Sequence, residues 1–352
     1  MTILIRIITT LIMIGITPLA WANPFEGTQL NKIGGNFAHP WGITLLDVDT
    51  NNPTALVTER GGRLFTLDLT SGTRTQIQNV PQVFARRQGG LLDVLAHEGM
   101  IYFCYSRPVE GGAATALSRA RLAGGALTEL ELLFTSNLIS QSGVHFGCRL
   151  GAQDGAIFLS HGDRGMRDFA QDPASHGGAV IRIDLSTRAI TTFTKGHRNP
   201  QGMAIHPRTG AIWVNEHGPR GGDEINILTR GANYGWPLVS HGREYSGGPV
   251  GEGLQTKEGY TDPVWVWVPS IAPSGMAFYD GAMFPQLKGG VLVTSLKFRS
   301  LYHVELEAGL PVRETPYLRQ FIGRLRDVEV MPDGSLLLLS DEVQGGVYWL
   351  RK

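Results

Sequence analysis

The sequence predicts an all-β protein, a six-bladed β-propeller of four-stranded antiparallel sheets. Three observations predict it. Short runs rich in Val, Ile, Leu, Phe, Trp and Tyr recur between Gly, Asp, Asn and Pro, with almost no helical periodicity. One kind of segment, a polar or glycine-rich lead-in running into a short apolar strand, returns six times. Those segments lie about 50 to 75 residues apart, near the size of a propeller blade with its loops.

In chain order the lead-ins are His39-Pro-Trp-Gly-Ile, Gln88-Gly-Gly-Leu-Leu-Asp-Val, His145-Phe-Gly-Cys-Arg-Leu, Asn199-Pro-Gln-Gly-Met-Ala-Ile, Pro273-Ser-Gly-Met-Ala-Phe-Tyr and Arg324-Leu-Arg-Asp-Val-Glu-Val. Each is followed, after a turn, by further strand-like runs such as Thr54-Ala-Leu-Val-Thr, Ala156-Ile-Phe-Leu-Ser and Ser335-Leu-Leu-Leu-Leu. A lone four-stranded sheet cannot bury both faces, so neighbouring sheets stack around an axis. A β-sandwich, the competing all-β architecture, gives no reason for six similar lead-ins at such intervals. The longest gap, between the fourth and fifth lead-ins, should hold an elaborated loop.

Ahead of the first blade, Arg6 precedes an apolar run from Ile7 to Ile16, and Ala20-Trp21-Ala22 fits a secretory cleavage site. Residues 1–22 therefore read as a signal peptide and residues 23–352 as a single propeller domain, periplasmic or secreted. An uncleaved anchor is the alternative, although the run is short for a span of about 20 residues. Lys and Arg number 31, as do Asp and Glu, so the formal net charge is +0. With no basic run or charged tail, nucleic acid and membrane surfaces are not expected partners. Cys104 and Cys148 fit either a disulfide or two separate buried thiols.

The innermost strands of a propeller line its channel, so side chains on the lead-ins converge at one mouth. Gln88, His145, Arg198, Asn199, Gln201, Arg324 and Arg326 lie there. Arg324 and Arg326 alternate as strand residues do and can point the same way. Taken singly, the histidine reads as structural and the arginines as ion-pair partners. Gathered together, they make a pocket for something that carries carboxylates. From Asn215 to Pro237, Asn-Glu-His-Gly-Pro-Arg-Gly-Gly-Asp-Glu-Ile-Asn-Ile and Ala-Asn-Tyr-Gly-Trp-Pro supply a turn-rich backbone and hard oxygen ligands, the mixture calcium prefers. A solvated acidic loop is the plainer reading.

At these residues the chain resembles the soluble aldose sugar dehydrogenases that use pyrroloquinoline quinone (PQQ), within the glucose and sorbosone dehydrogenase family. The matching segments are Gln88-Gly-Gly-Leu-Leu-Asp-Val, His145-Phe-Gly with Arg149-Leu, Arg198-Asn-Pro-Gln-Gly-Met-Ala, Asn215-Glu-His-Gly-Pro-Arg-Gly-Gly-Asp-Glu-Ile-Asn, Asn233-Tyr-Gly-Trp-Pro, Ser274-Gly-Met-Ala-Phe-Tyr and Arg324-Leu-Arg-Asp-Val. They run in order over nearly the whole mature chain.

The resemblance implies that His145 is the general base, with Asp163 orienting it, and that hydride passes from the anomeric carbon to PQQ. It implies that Gln88, Arg198, Asn199, Lys297, Arg324 and Arg326 hold the cofactor, with Gln201 and Tyr245 nearby. It implies one calcium on the carbonyls of Gly218 and Pro219, and a second on Glu224 and the backbone oxygen of Tyr234. The chemistry is sound: imidazole accepts a proton near neutral pH, and guanidinium forks suit planar carboxylates. Val144 stands where the family pattern has Asn, and Cys148 where it has Gly.

The expected partners are an aldose and an external electron acceptor, with no nucleic acid and no membrane span after cleavage. The chain is expected to be a monomer or homodimer. Two other readings remain open: a non-catalytic propeller binding module, and a calcium-dependent sugar lactonase, which needs carboxylates at the channel centre. Trp265 and Trp267 read as packing residues more than as a sugar platform.

Overall fold

The structure, a computed structural model, describes residues 23–48 and 52–352. The expected signal peptide lies outside the described residues. Six four-stranded antiparallel sheets form a ring. Their innermost strands are Pro40–Asp47, Leu91–His97, Leu150–Gln153, Pro200–Ile205, Pro273–Phe278 and Leu325–Val330, each packed against the next and the last against the first. Every predicted lead-in runs into one of them.

The ring closes without a covalent link. The sixth blade takes Leu325–Val330, Leu336–Ser340 and Gly345–Arg351 from the C-terminus, and its outermost strand, Gln29–Phe37, from the start of the chain. Leu30 pairs with Leu350 and Ile33 with Val347. That closing strand was not read from the sequence. The elaborated loop expected between the fourth and fifth lead-ins spans residues 228–264, between Asp223–Ile227 and Trp265–Trp267.

Burial explains the sequence pattern. Second strands, such as Leu336–Ser340 and Ala156–His161, are buried along their whole length because neighbouring blades cover both faces, so they read as unbroken apolar runs. Outer strands such as Arg74–Gln76 are exposed. Six main hydrophobic clusters each lie largely between two adjacent blades: Leu56, Phe103 and Ala120 join the first to the second, and Phe37, Val57 and Leu337 the sixth to the first. Trp267 is buried, and both Trp265 and Trp267 donate their indole N–H to Glu314, so these tryptophans pack.

Cys104, on the second blade, and Cys148, at the start of the third, form a disulfide. This bond ties the segment that follows His145 to the neighbouring blade.

The channel is pinned on its axis by one buried arginine. Arg149 Nη1 lies 3.0 Å from Asp93 Oδ1 and 2.8 Å from Asp327 Oδ2, while its Nε donates to Gln201 O at 2.9 Å. Asp93 also accepts from Leu150 N at 2.8 Å, and Asp327 from Ile43 N at 3.2 Å. Backbone must approach these carboxylates closely. A Cβ on Gly42 would lie 2.7 Å from Asp93 Oδ1, and one on Gly275 2.6 Å from Asp327 Cα. The glycines repeated in the lead-ins are thus spacers for the axis.

Two expectations follow. Gly275→Ala overpacks the axis and should destabilise the fold by about 1–3 kcal/mol, read as a lower denaturant midpoint; an unchanged midpoint would mean the blades separate freely there. Glu329 lines a cavity of about 310 Å³ at the channel's opposite end, with Asp93, Asp327, Arg149 and His97. Burial, then Asp327 and Asp93, push its carboxyl up to about 8 against the pull of Arg149. The native state therefore keeps a proton that the unfolded chain releases near 4.5, and stability falls as pH rises between these values. Glu329→Gln lacks that loss. Its melting temperature, relative to the unsubstituted chain, should rise from about pH 5 to about pH 8; a constant difference refutes the shifted pKa.

Candidate active site

At five of the six lead-ins the pairing of the innermost strand slips by a β-bulge: between Pro40 and Ile43, Leu91 and Val94, Pro200 and Gly202, Pro273 and Met276, and Leu325 and Asp327. A bulge re-aims the residue it leaves unpaired. Trp41, Leu92, Gln201 and Arg326 sit in these slips, and all four line one axial cavity of about 150 Å³. The rest of its wall includes Arg60, Gln88, Asn199, His217, Arg324 and Asp341. Arg324 and Arg326 do share the pocket, but through a bulge: Arg324 precedes the strand and Arg326 falls in the slip.

His145 stands beside this cavity with φ +51, a left-handed conformation costly for a side chain with a Cβ. Its N–H donates to Gln88 Oε1 at 2.7 Å. Its Nδ1 lies 2.6 Å from Asp163 Oδ1. Asp163 is buried, which alone would raise its pKa, but the hydrogen bond and charge of His145, the Gly165 N–H and Arg198 outweigh burial and hold it below the usual carboxylate range. An ionised Asp163 can only accept, so Nδ1 carries a proton, and the neutral form of this ring keeps its lone pair on Nε2.

Asp163 is held from its other side. Trp236 Nε1 donates to Asp163 Oδ2 at 2.8 Å. Two guanidiniums lie near the Trp236 ring, Arg167 at 5.5 Å and Arg198 at 5.4 Å from its centroid. Arg167 in turn pairs with Glu244.

Arg326 is buried and largely engaged, with Nη2 2.5 Å from Asp341 Oδ2 and Nη1 3.0 Å from Gln201 Oε1 and 3.1 Å from Ser274 Oγ. Its Nε has no partner among the described residues. Gln201 Nε2 donates to Gly147 O at 3.2 Å, so two hydrogen bonds join the strand of Arg326 to the loop of His145. Asp341 also meets His39 Nδ1 at 2.8 Å and Arg60 at 3.7 Å. Desolvation holds His217 down to about 3, and its Nε2 lies 2.7 Å from Pro273 O.

Beside the cavity, Arg198 Nη1 donates to His217 O at 3.0 Å and to Gly218 O at 2.9 Å. The Gly218 carbonyl thus already faces positive charge. Behind it, a void of about 10 Å³, room for about one water or ion, is lined by Glu216, Gly218, Glu224 and Tyr234 among others. Burial, and then Glu216, push Glu224 well above the usual carboxylate range. Asn226 Nδ2 reaches Glu216 at 3.1 Å and Glu224 at 3.4 Å, while its buried Oδ1 has no partner among the described residues. The Tyr234 hydroxyl donates to Ile227 O at 2.6 Å, which leaves its backbone oxygen as the available ligand.

Of the residues expected at the site, Gln88, Asn199, Gln201, Arg324 and Arg326 line the axial cavity, and His145 with Asp163 adjoins it, while Arg198 lines the neighbouring small void and not the cavity itself. Lys297 and Tyr245 do not line it: Lys297 is exposed with Nζ 5.1 Å from the Phe298 ring, and Tyr245 is 71% exposed beside Glu244. Sequence reading missed Trp41, Arg60, His217, Asp341 and Trp236. Arg60, His217 and Asp341 share a place, since each directly follows a second strand at the mouth end of the ring.

Among the described residues no group of three or more His, Cys, Asp or Glu could hold a metal by side chains alone.

Comparison with known proteins agrees with this architecture. Residues 37–349 match the model of the family described as Glucose / Sorbosone dehydrogenase. Aldose sugar dehydrogenase YliI of Escherichia coli (strain K12) is 34% identical over 356 residues, covering 95% of this chain and 95% of that one. Quinoprotein glucose dehydrogenase B of Acinetobacter calcoaceticus is 28% identical over 244 residues, covering 50% of each chain. A crystal structure of a glucose dehydrogenase has a TM-score of 0.86 at 34% identity, covering 91% of this chain and 99% of that one. The chain therefore belongs to the glucose/sorbosone dehydrogenase family and is a sugar dehydrogenase.

Proposed function

We propose that the chain oxidises an aldose at its anomeric carbon to the lactone, with PQQ in the axial cavity and calcium on the carbonyls of Gly218 and Pro219. The observation that carries this reading is the His145–Asp163 pair at the edge of a cavity that offers cationic and amide donors. Arg60, Gln88, Asn199 and Arg324 line it, and the orphaned Arg326 Nε adds a buried donor. Such a set fits a planar polycarboxylate. Bound there, PQQ supplies the hydride acceptor, with calcium as the Lewis acid beside it.

The chain's own residues handle the proton. Asp163 fixes the His145 tautomer, and Nε2 takes the proton of the anomeric hydroxyl as hydride leaves the same carbon. Trp236 is a positioning residue, since it keeps the carboxylate turned toward His145. Arg198, spread over His217 O and Gly218 O, draws two carbonyls of the calcium loop together. A second calcium beside Glu224 and the Tyr234 carbonyl would relieve the repulsion between Glu224 and Glu216 and give Asn226 Oδ1 a partner. A lactonase reading is less well supported, because Asp341, the carboxylate in the cavity wall, is committed to Arg326. Export belongs to the same proposal, and the Cys104–Cys148 disulfide supports an oxidising compartment.

The direct test is reconstitution with PQQ and calcium, followed by dye reduction with glucose and other aldoses; no turnover with any aldose sinks the dehydrogenase mechanism. His145→Ala should still bind the quinone, read by its absorbance, yet lose about 10²–10⁴-fold in kcat; near-normal turnover would remove His145 as the base. Trp236→Phe keeps the ring but removes one hydrogen bond to an ionised group, so kcat should drop about tenfold to a hundredfold with little change in the sugar KM. The acid limb of its pH profile should also move upward, because Asp163 loses a donor that spreads its charge. A change in KM alone would assign Trp236 to packing.

A further inference from the structure

We propose that the face onto which the axial cavity opens is a docking surface for an acidic one-electron redox protein, the carrier that removes the electrons of sugar oxidation. The proposal rests on the dehydrogenase reading above. A formal net charge of +0 includes a group of exposed arginines at one end of the ring.

Loops at the cavity end of the ring carry Arg86, Arg87, Arg220, Arg243, Arg299 and Arg319, all exposed and none with an ion-pair partner among the described residues. Their placement follows from backbone contacts. Arg86 and Arg87 lead directly into Gln88, whose side chain holds the His145 N–H. Arg220 and Arg243 pair across a bridge at the Gly218–Pro219 loop. Arg299 O accepts from Gln320 N at 2.9 Å, which joins its turn to the loop of Arg319. That turn begins at Leu296, and the loop ends at Arg324, both in the cavity wall.

Glu244 at this end is paired with Arg167 and Glu252 lies 3.9 Å from Lys257, which leaves Glu110, Asp168, Asp172 and Glu342 against the six arginines. The turns at the opposite end mix signs, with Glu98, Asp154 and Asp333 against Arg208 and Lys288, the last beside Asp280. Between the cations, Val268, Phe298, Phe321 and Val343 are 71%, 39%, 78% and 73% exposed. A charged surround with apolar side chains in it is the composition of a protein interface, and it is spread over loops of several blades, wider than a sugar requires.

The direction of electron exit selects the partner. Toward the opposite end the cavity is closed by buried Trp41 and the Arg149 ion pairs, so a carrier must approach the mouth. One aldose and two oxidised carriers give one lactone, two reduced carriers and two protons, each carrier taking one electron. Uncompensated cations around the mouth speed the arrival of an acidic protein and allow it to leave quickly.

The test uses holoprotein loaded with PQQ and calcium, reduced by glucose and mixed in stopped flow with one of three acceptors. These are an acidic c-type cytochrome, a cationic mitochondrial-type cytochrome c and a small neutral dye. The acidic cytochrome should react faster than the cationic one, and its rate should fall about tenfold as salt rises from about 20 to about 200 mM. The triple variant Arg86→Glu, Arg299→Glu, Arg319→Glu should slow the acidic cytochrome about tenfold or more and leave the dye rate unchanged, which also reports an intact fold. An acidic-cytochrome rate indifferent to both salt and the triple variant overturns the proposal, as does a preference for the cationic cytochrome. Sedimentation with phosphatidylserine vesicles that the triple variant abolishes, without any change in cytochrome rate, assigns the face to a lipid surface instead and also overturns it. Absence of dye turnover in the unsubstituted holoprotein defeats the dehydrogenase mechanism itself and takes this proposal with it.

Discussion

Arg149 on the propeller axis is the contact on which the remaining geometry depends. Its guanidinium joins carboxylates from the second and sixth blades, its own strand belongs to the third, and its Nε holds the backbone of the fourth. Through Asp327 and Asp93 the first and fifth blades are drawn in as well, by Ile43 N, Gly42 and Gly275. Burial raises both carboxylates, Asp93 to about 6, while the neighbouring guanidinium opposes it. An arrangement of this kind adds little net stability compared with an apolar core of equal volume, yet loss of one partner strands the others. What it supplies is register. Each inner strand has a single height along the axis at which its polar or glycine position meets the central charge.

Register matters because the bulges sit immediately above it. A strand with regular alternation would send successive side chains to opposite faces, between blades and not into the channel. The slip at Leu325–Asp327 lets Asp327 reach Arg149 while Arg326, one residue away, enters the upper cavity. The same device at Pro200–Gly202 frees Gln201. Structural and site residues can therefore alternate within three positions of one short strand, and this gives the lead-ins their polar, glycine-rich look.

That look is why so much of the ring was legible. The lead-ins repeat because the axis imposes the same demand six times, and the apolar second strands repeat because each is covered on both faces. The closing strand Gln29–Phe37 carries neither mark: it is an outer strand with mostly exposed or half-buried residues. Site residues on the lead-ins were legible for the same reason as the blades. Arg60, His217 and Asp341 were not, because second strands read as packing and give no hint of what their ends carry. Trp236 escaped because its partner Asp163 is 73 residues away, although it stood inside the conspicuous Asn-Tyr-Gly-Trp-Pro run. Lys297 and Tyr245 lie on loops, where no strand period dictates which way a side chain turns.

The two buried arginines on the axis explain how one narrow channel can be a structural pin and a binding pocket together. Arg149 and Arg326 both lie against the ring of Trp41, at 4.4 and 5.4 Å. Like charges so close in a desolvated channel would repel strongly unless each were neutralised locally. Arg149 has Asp93 and Asp327, and Arg326 has Asp341, so each guanidinium beside the indole has its own carboxylate partners. Because Asp341 satisfies the Arg326 charge from the side, its remaining donor has no structural task. The upper half of the channel can then hold donors in want of acceptors, while the lower half bears the cost of keeping the blades in line.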